Sequence, residues 1–71
     1  MYYFTFGAGQ AHDGCYVIVH QEMYLAARQV MVARFGTRWS GQYSQQQFDH
    51  LGLVNKMDLY SEFENGEWHD L

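Results

Sequence analysis

Two adjoining stretches, Cys15-Tyr-Val-Ile-Val-His20 and Glu22-Met-Tyr-Leu-Ala-Ala-Arg-Gln-Val-Met-Val-Ala-Arg-Phe35, decide the fold class. The first is dominated by β-branched and aromatic side chains, which suit a pleated, half-buried surface. The second switches to Met, Leu, Ala, Arg and Gln, residues that lose little side-chain freedom in a helix. A strand feeding directly into a helix within one short chain predicts an α+β domain. In the helical stretch Met23, Ala27, Val30, Met31, Arg34 and Phe35 follow i, i+3/i+4 spacing, so they form a stripe for packing on a sheet, with Arg34 at its edge. Glu22 in the first turn and Arg34 in the last would complement the helix dipole, and Gly36 would end the helix as a left-handed C′ residue.

Working outward, Tyr2-Tyr-Phe-Thr-Phe6 reads as another strand. Three glycines and Asp13-Gly14 mark residues 7–14 as a loop, so strands 2–6 and 15–20 should pair as an antiparallel hairpin. Phe4 and Phe6 share one face by period two. On the second strand either Tyr16 with Ile18 or Val17 with Val19 would join them. Thr37–Tyr43 alternates Trp39 and Tyr43 against Arg38 and Gln42, which predicts a third strand at about 38–43. Ser44-Gln-Gln-Gln47 fits a capping box opening a short helix over 45–50, ended by Gly52. Beyond it Met57, Leu59, Ser61 and Phe63 alternate with polar residues, and Asn65-Gly66 signals a two-residue hairpin turn. A helical turn over Lys56–Phe63 is the alternative, because Leu59 and Phe63 are also i, i+4. The expected architecture is one domain over residues 1–71. It holds a small antiparallel sheet of three to five short strands, one main helix at about 22–35 and a short one at about 45–50.

Composition limits function more than it names it. At 71 residues and 48% apolar content the chain is long enough for one core and too apolar to stay disordered at a net charge of −4. The single cysteine, Cys15, excludes an internal disulfide. No apolar run approaches the ~20 residues of a membrane helix, and the N-terminus lacks a basic n-region, so a soluble cytoplasmic protein is expected. Charge is segregated: Asp13 and Glu22 against Arg28, Arg34 and Arg38 leave residues 1–48 at +1. Asp49, Asp58, Glu62, Glu64, Glu67 and Asp70 against Lys56 leave residues 49–71 at −5.

Sites for chemistry are few. His12, Cys15 and His20, with Asp13 nearby, offer zinc-type ligands, but a structural zinc site wants four ligands and usually several thiolates. His50 and His69 lie far along the chain. A nucleophile at Cys15 activated by His12 or His20 would need an electropositive cleft that a small acidic chain has little room for. Glu62, Glu64 and Glu67 could do acid/base work only with the burial that raises a carboxylate pKa, and their polar neighbours point to a solvated face. Gly7-Ala8-Gly9 lacks the lysine and following helix of a phosphate loop. No catalytic residue, metal or cofactor is expected. Direct nucleic-acid binding is disfavoured by the scarcity of Lys and Arg.

Tyr2-Tyr3-Phe4-Thr5-Phe6-Gly7, Gly14 to Val19, Ala27-Arg28 with Met31, Phe35-Gly36, Trp39 and Gln42-Tyr43-Ser44 together resemble a family of small phage and prophage proteins. The resemblance covers about the first fifty residues and carries no catalytic motif. It implies a phage setting, in which a small acidic domain is similar to anti-CRISPR proteins that bind a type I effector complex, such as that of type I-C, and block target DNA. The expectation is a non-enzymatic inhibitor whose partner is a host protein with a basic nucleic-acid-binding groove. Asp58, Glu62, Glu64, Glu67 and Asp70 would supply the charge, and Tyr60 and Trp68 the aromatic anchors. A self-associating phage structural or assembly module is the competing reading, since small cores gain stability by oligomerising.

Overall fold

The computed structural model describes all of residues 1–71 as a five-stranded sheet with helical layers on both faces. Strands β1 (Tyr2–Thr5) and β2 (Cys15–Val19) precede helix α1 (Tyr24–Phe35). Strand β3 (Gly41–Ser44) runs directly into helix α2 (Gln45–His50). A 3₁₀ turn at Leu53–Asn55 then leads to β4 (Asp58–Glu64) and β5 (Glu67–Asp70). The strand order is β3-β1-β2-β4-β5. The α+β class, the main helix and the short second helix all stand as the sequence indicates.

The sheet is mixed where a purely antiparallel one was expected. β1 pairs antiparallel with both β2 and β3, and β4 with β5, but β2 and β4 run parallel. Residues 20–57 separate these two strands, and they contain a helix and a full strand, which is ample for the crossover that a parallel pair demands. The β2–β4 ladder also carries a bulge: Tyr16 faces Leu59 while the next residue, Val17, faces Ser61, leaving Tyr60 as the extra residue.

Val17 and Val19, not Tyr16 and Ile18, are the pair of β2 that joins Phe4 and Phe6, and the other face of the strand carries a second core. Val17 and Val19 join Phe4, Phe6, Ala27 and Met31 in the core beneath α1. Tyr16 joins Tyr3 and Phe48 on the other face, where Ile18, Leu53, Met57 and Leu59 pack around them. Phe48, the apolar residue of α2, has its ring centroid 4.5 Å from that of Tyr3 and 4.9 Å from that of Tyr16. Burial pushes the phenols of Tyr3 and Tyr16 up from 10.0, with smaller contributions from the charges of Asp49 at Tyr3, of Asp58 at Tyr16, and of Glu62 at both.

Several boundaries differ from the sequence reading. α1 begins at Tyr24 with Met23 as its N-cap, so Glu22 lies outside the first turn and supplies no dipole complement there. Met23 is 70% exposed and leaves the stripe, whereas Ala27 and Met31 are fully buried and Val30 and Phe35 partly so. Arg34 lies in the last turn as expected, while Gly36 caps the helix at φ 62° and ψ −125°, a positive φ that suits glycine but not the left-handed helical conformation expected of it, and its N–H donates to the Val32 carbonyl. Trp39 falls short of β3. Its indole Nε1–H donates to the Gly36 carbonyl at 2.9 Å, and its ring meets Phe4 edge to face. The capping box at Ser44 is complete: the Gln47 N–H donates to Ser44 Oγ at 3.2 Å, and the Ser44 N–H donates to Gln47 Oε1 at 2.9 Å. The tail is a hairpin, with Asn65 at φ 55° and Gly66 at φ 78°, both in the sense a primed turn requires. The helical alternative for Lys56–Phe63 is excluded by β4. No helix is long and apolar enough to cross a membrane.

Candidate functional site

The β4–β5 hairpin sorts its charges by register. Ser61 pairs with Asp70, Glu62 with His69, Phe63 with Trp68 and Glu64 with Glu67. Residues paired across antiparallel strands share a face, and alternate pairs take opposite faces. Ser61, Phe63, Trp68 and Asp70 therefore lie on the side of α1, and Glu62, Glu64, Glu67 and His69 on the other.

On the α1 side Arg34 organises everything. Its guanidinium donates to both carboxylate oxygens of Asp70, at 2.9 and 3.0 Å, and to Ser61 Oγ at 3.3 Å. Its carbon lies 4.5 Å from the Trp68 ring centroid, 4.9 Å from that of Phe35 and 5.7 Å from that of Tyr60. Ser61, fully buried, donates to Asp70 Oδ1 at 2.5 Å. Hydrogen bonds from Arg34, then from Ser61, hold the Asp70 carboxyl below its ordinary value of 3.8. The bidentate fork ties the end of α1 to the last strand.

The opposite side is open. His20, just past the end of β2, is held beside β4 by its N–H, which donates to the Phe63 carbonyl at 2.9 Å. Its Nε2 contacts a Glu62 carboxylate oxygen, and its Nδ1 is 3.9 Å from one of Glu64. One ligand-type atom from each of His20, Glu62 and Glu64 falls within 4.8 Å of the others. Arg34–Asp70 is the only ion pair that involves an arginine or lysine, so none of Glu62, Glu64 and Glu67 is paired with one. Such a face can accept a guanidinium, an ammonium or a metal cation.

The seven residues singled out from sequence thus divide. Glu62, Glu64 and Glu67 come together on the open face. Tyr60, Trp68 and Asp70 face α1, where Tyr60 stacks on His12 at 4.1 Å and Trp68 meets Phe35 and Phe63 edge to face. Asp58 is exposed at the far end of β4, paired with Cys15. Sequence reasoning missed His20 and His69 as neighbours of the acidic face. The Asn65-Gly66 turn already implied the position of His69, because a two-residue turn sets Glu62 opposite it. The zinc grouping of His12, Cys15 and His20 is not assembled. His12 packs among Phe6, Phe35 and Tyr60, Cys15 packs against the core beneath α1, and His20 stands at the other end of β2. Cys15 and His20 are five strand residues apart, about 16 Å.

No family model matches the chain, and comparison with curated proteins and with solved structures returned no match. The likeness to small phage proteins therefore rests on the quoted residues alone.

Proposed function

We propose that this protein is a non-enzymatic binding module that sets the open face of β4–β5 against a basic groove of a nucleic-acid-binding protein and keeps nucleic acid out of it. The observation that carries this reading is the gathering of Glu62, Glu64 and Glu67 on one sheet face without a single arginine or lysine paired to them. Unneutralised carboxylates on a rigid surface attract a groove built for phosphates and speed encounter with it. The resemblance to phage proteins makes a type I CRISPR effector complex the first partner to try, in the bacterial cytoplasm.

The test is capture of such a complex by the tagged protein, followed by target-DNA binding of the captured complex. Reversing Glu62, Glu64 and Glu67 to lysine should weaken capture by about 0.6–3 kcal/mol, from three exposed pairs at roughly 0.2–1 kcal/mol each. The loss should shrink as salt shortens the Debye length below about 10 Å. Affinity and salt dependence unchanged in the triple variant would remove the acidic face from the mechanism.

Self-association is the second reading, favoured by the outer face of α1. Leu25 is 66% exposed and Val32 50%, and both lie on that face with Gln29 between them at helical spacing. Sedimentation decides between them: a tight dimer that Leu25→Lys dissolves would favour assembly.

A further inference from the structure

His20, Glu62 and Glu64 bring one imidazole and two carboxylates to a single point of the open face, held by backbone pairing of β2 with β4. We propose that these three residues form a binding site for a divalent transition-metal ion of the zinc class. The donor set of one imidazole nitrogen with carboxylate oxygens is the mixture that first-row divalent ions accept.

The geometry is close to what an ion needs. Metal–ligand bonds near 2.0–2.1 Å place neighbouring donors of a tetrahedral ion about 3.3 Å apart. One donor atom from each of the three residues lies within 4.8 Å of the others. Glu64, whose side chain is 51% exposed, is free to close that gap by rotation about its own bonds. Glu62 already contacts the imidazole, so an ion would seat between His20 Nε2 and the carboxylate with the neutral ring carrying its proton on Nδ1. The backbone stays fixed throughout. The His20 N–H is bonded to the Phe63 carbonyl, and Glu62 and Glu64 are alternate residues of one strand on one face.

Electrostatics point the same way. Glu62 and Glu64 meet only the imidazole, and a like-charge pair of this kind gains from a dication. The side-chain exposures of 29% for His20 and 35% for Glu62 leave room for water to complete the coordination. His69, paired with Glu62 on the same face, stands next to the site as a further imidazole. Of His12, Cys15 and His20, only His20 belongs to this cluster, and its partners come from the distant β4.

The inference does not depend on the docking reading, because it is tested on the isolated chain. Chelator-stripped protein is titrated calorimetrically with Zn²⁺, alongside His20→Gln, Glu64→Gln and the control His50→Gln, which alters an exposed histidine of α2. Circular dichroism establishes that each variant is folded. Wild type and His50→Gln should take up one ion per chain with equal affinity. His20→Gln and Glu64→Gln should each lose about tenfold or more, at least the loss seen when supporting residues around a metal are removed. Absence of saturable uptake by the wild type would overturn the site. So would a folded His20→Gln or Glu64→Gln protein that binds Zn²⁺ as tightly as wild type.

Discussion

Phe48→Ala tests whether the thin layer made by α2 belongs to the core. Phe48 is fully buried, and its ring centroid lies 4.5, 4.9 and 6.2 Å from those of Tyr3, Tyr16 and Tyr43. Truncating a buried phenylalanine costs about 3–5 kcal/mol, through lost transfer energy and the cavity left behind. Three aromatic neighbours place Phe48 toward the upper end, since each ring pair contributes roughly 0.5–1.5 kcal/mol beyond burial. A chain of 71 residues has a total stability of only about 4–11 kcal/mol at ~0.05–0.15 kcal/mol per residue. The variant should therefore melt roughly 12–40 °C lower, at about 4–8 °C per kcal/mol for a domain of this size. Urea unfolding followed by near-ultraviolet circular dichroism measures the loss directly, and Phe48→Leu, which keeps most of the apolar bulk, should fall between variant and wild type. A loss within about 0.5 kcal/mol, the scale of an exposed substitution, would show that α2 is an ornament on a one-layer core and refute the two-faced account of the sheet.

The Arg34–Asp70 fork should shape the acid limb of stability. Because the folded state holds the Asp70 carboxyl below 3.8, the contribution is present above that value and is lost as pH falls through the folded pKa. A pH series of melting temperatures should show Asp70→Asn losing stability at neutral pH and converging on wild type in acid; parallel curves would dissociate the fork from stability. At the alkaline end the sign reverses. Tyr3 and Tyr16 stay neutral in the fold above 10.0, where the unfolded chain ionises, so stability should fall from about pH 10 upward, and tyrosinate absorbance should show two phenols that titrate late. Ser44→Ala removes the side-chain acceptor for the Gln47 amide and should cost about 1 kcal/mol in urea unfolding, with Ser44→Asp restoring most of it. An unchanged Ser44→Ala midpoint would mean that water replaces the cap without cost.

What could be read from the sequence was local chemistry. The change from Val and Ile to Leu, Ala and Met near residue 22 located the boundary between strand and helix, and Ser44-x-x-Gln47 and Asn65-Gly66 specified a cap and a turn that the backbone then forms. The helix start was read two residues early because Glu22 suits a first turn by charge, yet Met23 has the extended φ of −95° and ψ of 134° that cap α1. The parallel pairing of β2 with β4 had no local signal, since it is chosen by which apolar faces meet across residues 20–57. The second core layer was hidden for a related reason: α2 reads Gln-Gln-Gln-Phe-Asp-His, and one phenylalanine in a polar helix gives no stripe. Its partners Tyr3 and Tyr16 come from different strands.

The acidic tail shows why charge counts alone could not define a surface. Read as composition, Asp58, Glu62, Glu64, Glu67 and Asp70 form one negative block; read through the strand period they cannot, because a two-residue turn after Glu64 places Glu67 opposite it and sends Asp70 to the other face. That division assigns two kinds of work to neighbouring carboxylates. Asp70 is matched by a bidentate arginine, with Trp68 and Tyr60 stacked around the guanidinium, so its charge is used within the fold. Glu62 and Glu64 have only an imidazole for company, and Glu67 has no ion-pair partner. The helical layer over their face, built on Phe48 and Leu53, packs against Tyr3, Tyr16 and Leu59, toward the start of β4. The far end of β4–β5 is left as bare sheet, with three carboxylates that no arginine or lysine matches side by side on it. A partner's basic groove and a divalent ion would answer the same imbalance, so binding of Zn²⁺ at His20, Glu62 and Glu64 and docking through that face should oppose one another, each weakening the other by the same factor.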